Sequence, residues 1–116
     1  ARPILIAYNL WLKGSTLDVA KRICAEIRSE SVRTLALQVG SSVQVSMNLI
    51  APEVTGPDKV YDAVAQYAEI DRAELVGLVP SRTLAAIPRQ RWAQLDLSTE
   101  TTIEWNLAER NRKLRA

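Results

Sequence analysis

An α+β fold, with helices on one face of a four-stranded sheet, is predicted by three features of the sequence. Strand-like and helix-like segments follow one another as strand, helix, strand, strand, helix, strand. One strand segment alternates apolar and polar residues without exception. Gly, Pro and Ser fall between the segments, where chain reversals need them.

The elements follow in order. Ile4 to Leu12 (ILIAYNLWL) is apolar on both sides, as an inner strand is. Lys13-Gly14-Ser15 breaks the run. Ser15 or Thr16 is placed to cap the next helix, and Asp18 suits its positive end. Leu17, Ala20, Cys24 and Ile27 recur at helical spacing, with Lys21, Arg22, Glu26 and Arg28 mostly off that stripe, so the helix runs to about Ser29. Arg33 to Val39 and Val43 to Leu49 read as a hairpin around Gly40-Ser41-Ser42. In its second strand Val43, Val45, Met47 and Leu49 share one side, and Gln44, Ser46 and Asn48 the other.

Pro52, Gly56 and Pro57 mark a loop. A second helix is expected from about Asp58 to Glu69, with Val60, Tyr61, Val64, Ala65 and Ala68 inward. A fourth strand fits Ala73 to Val79 and ends at Pro80. Ser81 is placed to cap a short helix through Leu84 to Ile87, and Arg91 to Leu95 to form a further turn. Ser98 is expected to cap a last helix that packs through Ile103, Leu107 and Trp105. The element order is that of the ferredoxin-like β-α-β-β-α-β fold, as one domain with a helical tail.

Composition narrows the function. The 116 residues suit one domain, and 47% hydrophobic with 24% charged residues is ordinary globular usage. A net charge of +2 gives no argument for a nucleic-acid partner. Arg110, Arg112, Lys113 and Arg115 form a basic tail, read either as a solvated terminus or as a rim that attracts anions. Cys24 is the only cysteine, so no internal disulfide forms and a cytoplasmic location is expected. No apolar run approaches the roughly 18 residues of a membrane helix.

The chain has no His. Ser-His-Asp and Cys-His catalysis and His-bound metals are therefore outside its own repertoire. Cys24 lies on the apolar stripe of the first helix and reads as core. Glu74 is the carboxylate that falls inside a strand. If helices cover one sheet face, the other is open. Gln44, Ser46 and Asn48 lie on it, Asn9 joins from the first strand, and Thr34 and Gln38 are expected from the second. Such neutral hydrogen-bonding groups, buried without partners, cost about 1–3 kcal/mol each. They suit a ligand wall or a sheet-to-sheet contact as well as a wet surface. Trp11 shares the side of Asn9 and is placed to stack on a flat heterocycle or to pack on a neighbouring unit; Trp92 and Trp105 read as structural.

Three segments resemble the C-terminal subdomain of the glutamate formiminotransferase family: Ile4 to Gly14 (ILIAYNLWLKG, with the Tyr8-Asn9 pair), Gln44 to Thr55 (QVSMNLIAPEVT) and Glu74 to Pro80 (ELVGLVP). Their order and spacing agree, and the resemblance spans roughly residues 2–109. It implies a share in formimino transfer from N-formimino-L-glutamate to tetrahydrofolate, in histidine breakdown. Folate then sits between two similar subdomains, with the acid/base His on the first. The resemblance implies that this first subdomain is absent from the chain and must come as a partner, with a homodimer as the expected assembly. Asn9, Gln44, Ser46, Asn48 and Glu74 are then expected to line the folate side, with no catalytic residue and no metal ligand of the chain's own. One departure is the short Gly40-Ser41-Ser42 connection, which is longer in the family. The alternatives are a non-catalytic module that uses its open sheet face for dimerisation or docking, and a diverged relative that binds a different pterin or small acid.

Overall fold

The computed structural model describes residues 5–115. Ile4, the expected start of the first strand, lies outside the described residues. The chain runs through β1 (Ile6–Leu12), α1 (Leu17–Ile27), β2 (Val32–Val39), β3 (Ser42–Leu49), α2 (Pro57–Ala65) and β4 (Ile70–Val76). There follow α3 (Ser81–Ala85), two single 3-10 turns and α4 (Ile103–Arg115). The four strands form one antiparallel sheet in the order β2-β3-β1-β4. This is the ferredoxin-like arrangement that the element order predicts. No helix among the described residues is long and apolar enough to cross a membrane.

Two inner strands form the centre of the core. Ile6, Tyr8, Leu10 and Leu12 of β1 are buried on one side. They stand opposite Leu49, Met47, Val45 and Val43 of β3 in one unbroken register. Over this surface α1 lays Ala20, Ile23 and Cys24, and α2 lays Val60 and Val64. Burial of a large aliphatic or aromatic side chain contributes about 1.5–3 kcal/mol. Thr16 caps α1 by accepting the Val19 N–H at 3.3 Å. The helix ends at Ile27, short of Ser29, because Arg28 turns extended and Ser29 bridges to Val32. Ile23, not named by the expected stripe, sits deeper than Leu17 or Ile27.

The hairpin is one residue tighter than expected. Val39 pairs with Ser42, so Gly40 and Ser41 alone make the turn. Gly40 has φ +60, the left-handed backbone that a tight hairpin asks of its first central residue. The second helix stops at Ala65, and β4 begins at Ile70. Thus β4 lies three residues earlier than the expected Ala73–Val79, and Gly77 (φ 96) ends it. Val79 is fully buried and makes only a single parallel bridge to Thr102. Its apolar character belongs to the core beneath the tail and not to the ladder.

The tail closes the covered face. Leu84, Ile87, Leu95 and Leu97 are buried. The Tyr8 hydroxyl donates to the Leu95 carbonyl at 2.7 Å in a buried bond that ties the tail to the centre of the sheet. Trp92 donates its indole N–H to the Ile87 carbonyl, in keeping with a structural role. Pro80, not Ser81, takes the capping position of α3. Both the amide and the hydroxyl of Ser81 donate to Glu104 at 2.9 Å. Ser98 caps the turn Thr99–Thr101, and Thr102 caps α4 by accepting the Trp105 N–H. The expected packed side of the last helix is not found: α4 has no buried residue, and Leu107 is 55% exposed. The earlier tail residues already fill the space beneath.

Tyr8→Phe should lower stability by about 1–3 kcal/mol, because it leaves the buried Leu95 carbonyl without its donor. Urea unfolding should show a lower midpoint at unchanged slope; an unchanged midpoint would mean that the bond contributes nothing.

Candidate functional site: the open face of the sheet

Register alone places the side chains of the uncovered face, because directly paired residues point the same way. One row runs Arg33, Asn48, Ala7, Val76 across the four strands. The next runs Leu35, Ser46, Asn9, Glu74, and the third Leu37, Gln44, Trp11, Arg72. Asn9, Gln44, Ser46, Asn48 and Glu74, the sequence-derived candidates, thus occupy adjoining positions on one surface. Thr34 and Gln38 do not join them. Thr34 stands opposite Met47, under α1, and its hydroxyl donates to the Cys24 carbonyl at 3.0 Å. Gln38 stands opposite Val43 on that same covered side. Placing Thr34 and Gln38 on the open face put β2 one residue out of phase, which exchanges its faces. The buried residue that sets the phase is Val32, paired with Leu49.

On this face the Glu74 carboxylate accepts two side-chain hydrogen bonds. Its Oε1 accepts from Asn9 Nδ2 at 3.2 Å and from the Trp11 indole N–H at 3.0 Å. The Asn9 bond first, and then the Trp11 bond, hold this carboxyl below the usual carboxylate range, with a smaller contribution from Arg72. The Arg72 guanidinium lies 4.7 Å from the centroid of the Trp11 ring. Asn9, Trp11, Arg72 and Glu74 therefore form one connected cluster across β1 and β4. Arg72 was not among the sequence-derived candidates. Its signal was the pairing of β4 with β1, which the late placement of β4 obscured.

Gln44 is 5% exposed and lies between Leu37 and Trp11; Ser46 is half-buried and Asn48 exposed. Beside them a hollow of about 210 Å³ opens between β2 and β3, lined by Arg33, Leu35, Ser46 and Asn48 among others. A larger concavity of about 490 Å³ runs along α4, between Leu78 and Ile103, Trp105, Leu107 and Arg110. None of the five candidates lines it, and its walls are Leu78 and side chains of α4, a helix with no buried residue.

This surface carries neutral hydrogen-bonding side chains, one carboxylate and an indole. Glu74 is held ionised and already accepts two bonds. Burial pushes the Cys24 thiol up, away from the reactive thiolate, and the side chain lies under the helix layer. Among the described residues no three His, Cys, Asp or Glu side chains gather as a metal cluster would need.

No family model matches the chain. The chain is similar to a class of transferase. Glutamate formimidoyltransferase of Thermoplasma acidophilum is 35% identical to it over an alignment of 101 residues, and the match covers 77% of this chain and 33% of the relative. The chain thus spans about a third of the length of that relative. The similarity supports a formiminotransferase-related role.

A lowered Glu74 pKa has a definite sign. The carboxylate's stabilising bonds act in full above the ordinary Glu value of about 4.3 and are lost as pH falls through the lower folded value. The stability advantage of the wild type over Glu74→Gln should therefore be constant near neutrality and shrink in acid. Thermal melts of both proteins from neutral pH downward measure it, and a gap that stays constant into acid would contradict the assignment.

Proposed function

We propose that this chain is the folate-facing unit of a glutamate formimidoyltransferase. A second unit completes the active site over its open sheet face. The observation that carries the reading is the row Ser46, Asn9, Glu74 beside Trp11. Here neutral donors and acceptors, an ordered carboxylate and an indole share one uncovered surface. A pterin is a flat ring with an aminopyrimidinone edge rich in N–H donors. Glu74 supplies an acceptor for that edge, Asn48 and Ser46 supply bonds of either sense, and Trp11 offers an aromatic surface. Tetrahydrofolate is in this reading a co-substrate that the chain holds and aligns, and N-formimino-L-glutamate approaches from the other unit.

Two further facts support it. The similar enzyme is about three times as long as the matched region, which leaves room for a second unit. The chain has no His, so an imidazole acid/base would come from that unit. Rate enhancement would then depend on this chain mainly through proximity and alignment of the two substrates. The reaction belongs to histidine breakdown, in the cytoplasm.

A second reading, a non-catalytic docking module, is favoured by the exposed Leu35, Leu37 and Val39 at one side of the face. Titration separates the two. Addition of 5-formyltetrahydrofolate should saturably change the tryptophan emission of the chain alone or joined to a complementary transferase unit. Asn48→Ala should weaken this binding about tenfold, the loss of one hydrogen bond. No saturation in either setting, with the chain folded, removes the folate reading and leaves the docking module.

A further inference from the structure

The sheet has two edges, and they differ. At β4, Asp96 Oδ2 accepts the Leu75 N–H at 2.8 Å, and just past the end of the strand Val79 is bridged by Thr102. The edge of β2 has no such cover along most of its length. In the pairing with β3, Ile50 donates to the Ser31 carbonyl, whereas Val32 exchanges its backbone bonds with Ser29 on the outer side. Antiparallel alternation then turns the backbone groups of Arg33, Leu35 and Leu37 toward β3 and those of Thr34, Ala36 and Gln38 outward. Among the described residues, the one partner for the outward groups is Arg28, which reaches the Thr34 carbonyl at 3.4 Å. The strand carries a single charge, Arg33, and neither proline nor bulge. It therefore lacks the usual devices that blunt an edge.

The residues along this edge read nearly the same in both directions about Ala36: Thr34-Leu35-Ala36-Leu37-Gln38. We propose that β2 pairs antiparallel with β2 of a second copy of this chain, about a twofold axis at Ala36. Each Ala36 then lies opposite its copy, Thr34 opposite Gln38, Leu35 opposite Leu37 and Arg33 opposite Val39. All the outward backbone groups of Thr34, Ala36 and Gln38 gain partners. Leu35 (59% exposed) and Leu37 (36% exposed) meet their copies as one apolar cluster on the open face. Thr34 and Gln38 form polar pairs on the covered side. Arg33 is kept away from its copy. A shift of the axis by two residues along the strand shortens the ladder. It also sets Arg33 against Leu35, or leaves Leu35 with no apolar partner. Each copy uses its bare β2 edge, and antiparallel pairing about a twofold axis is self-complementary, so assembly through this edge closes at a pair. This inference is independent of the folate reading, since it uses none of Asn9, Gln44, Ser46, Asn48 or Glu74.

Sedimentation equilibrium of the chain across a concentration series tests it. The wild type should be a dimer at high concentration. Ala36→Pro removes an outward N–H without touching the β3 ladder. It should raise the dissociation constant at least ~100-fold, with the far-ultraviolet circular dichroism unchanged. Leu37→Lys, on the solvent side, should have the same effect by bringing two lysines to the dyad, and it decides the matter alone if the proline variant misfolds. A wild type that stays monomeric to about millimolar concentration overturns the proposal. So does a dimer whose dissociation constant is the same in the folded variants, because the contact then lies elsewhere.

Discussion

The structure depends on the fixed phase of β1. This strand is bonded on both sides, to β3 and to β4. Its side chains alternate strictly between the helix layer and the open face. Ile6, Tyr8, Leu10 and Leu12 cannot leave the core without exposing four large apolar groups at once, so Ala7, Asn9 and Trp11 are held on the other side. The neighbouring strands inherit that phase through their register. A slip of one residue in β1 would reverse every row of the candidate site together with the core. The bond from Tyr8 to Leu95 adds a second lock, because it couples the phase of β1 to the path of the tail.

The same alternation explains how a polar cluster exists next to so apolar a strand. Asn9 and Trp11 each spend a donor on one oxygen of Glu74, and Arg72 lies over the indole. A lone carboxylate facing other carboxylates would be raised in pKa and would drift toward the neutral form. This one is lowered, because each nearby group stabilises the anion. The surface is therefore set up as a fixed pattern of acceptors and donors around one anion.

Much of this was legible in the sequence, and the misses have physical causes. The strict alternation of Val43 to Leu49 gave both faces of β3 correctly, since a half-buried strand must alternate. In β2 the polar Thr34 and Gln38 were expected on the wrong face, because polarity normally reports exposure and here the apolar Leu35 and Leu37 take the open side of an edge strand. The strand β4 was displaced because Leu78 and Val79 continue the apolar run past Gly77. A positive φ at one glycine outweighed the composition of its neighbours. For α4, the apolar Ile103, Trp105 and Leu107 suggested packing, although Leu95 and Leu97 had already filled the core below. Long-range claims on the same space cannot be read from local periodicity.

The two-residue turn at Gly40-Ser41 has a kinetic consequence. A longer connection at that end of the sheet would be able to fold across the open face and act as a flap. A turn this short has no reach, so Asn48, Ser46 and Asn9 remain accessible to solvent as far as the β2–β3 connection is concerned. Under the proposed function, in which a second unit covers this face, the residence time of a small molecule held there would be governed by how long that unit stays in place. Ligand exchange and separation of the two units would then share one rate-limiting step.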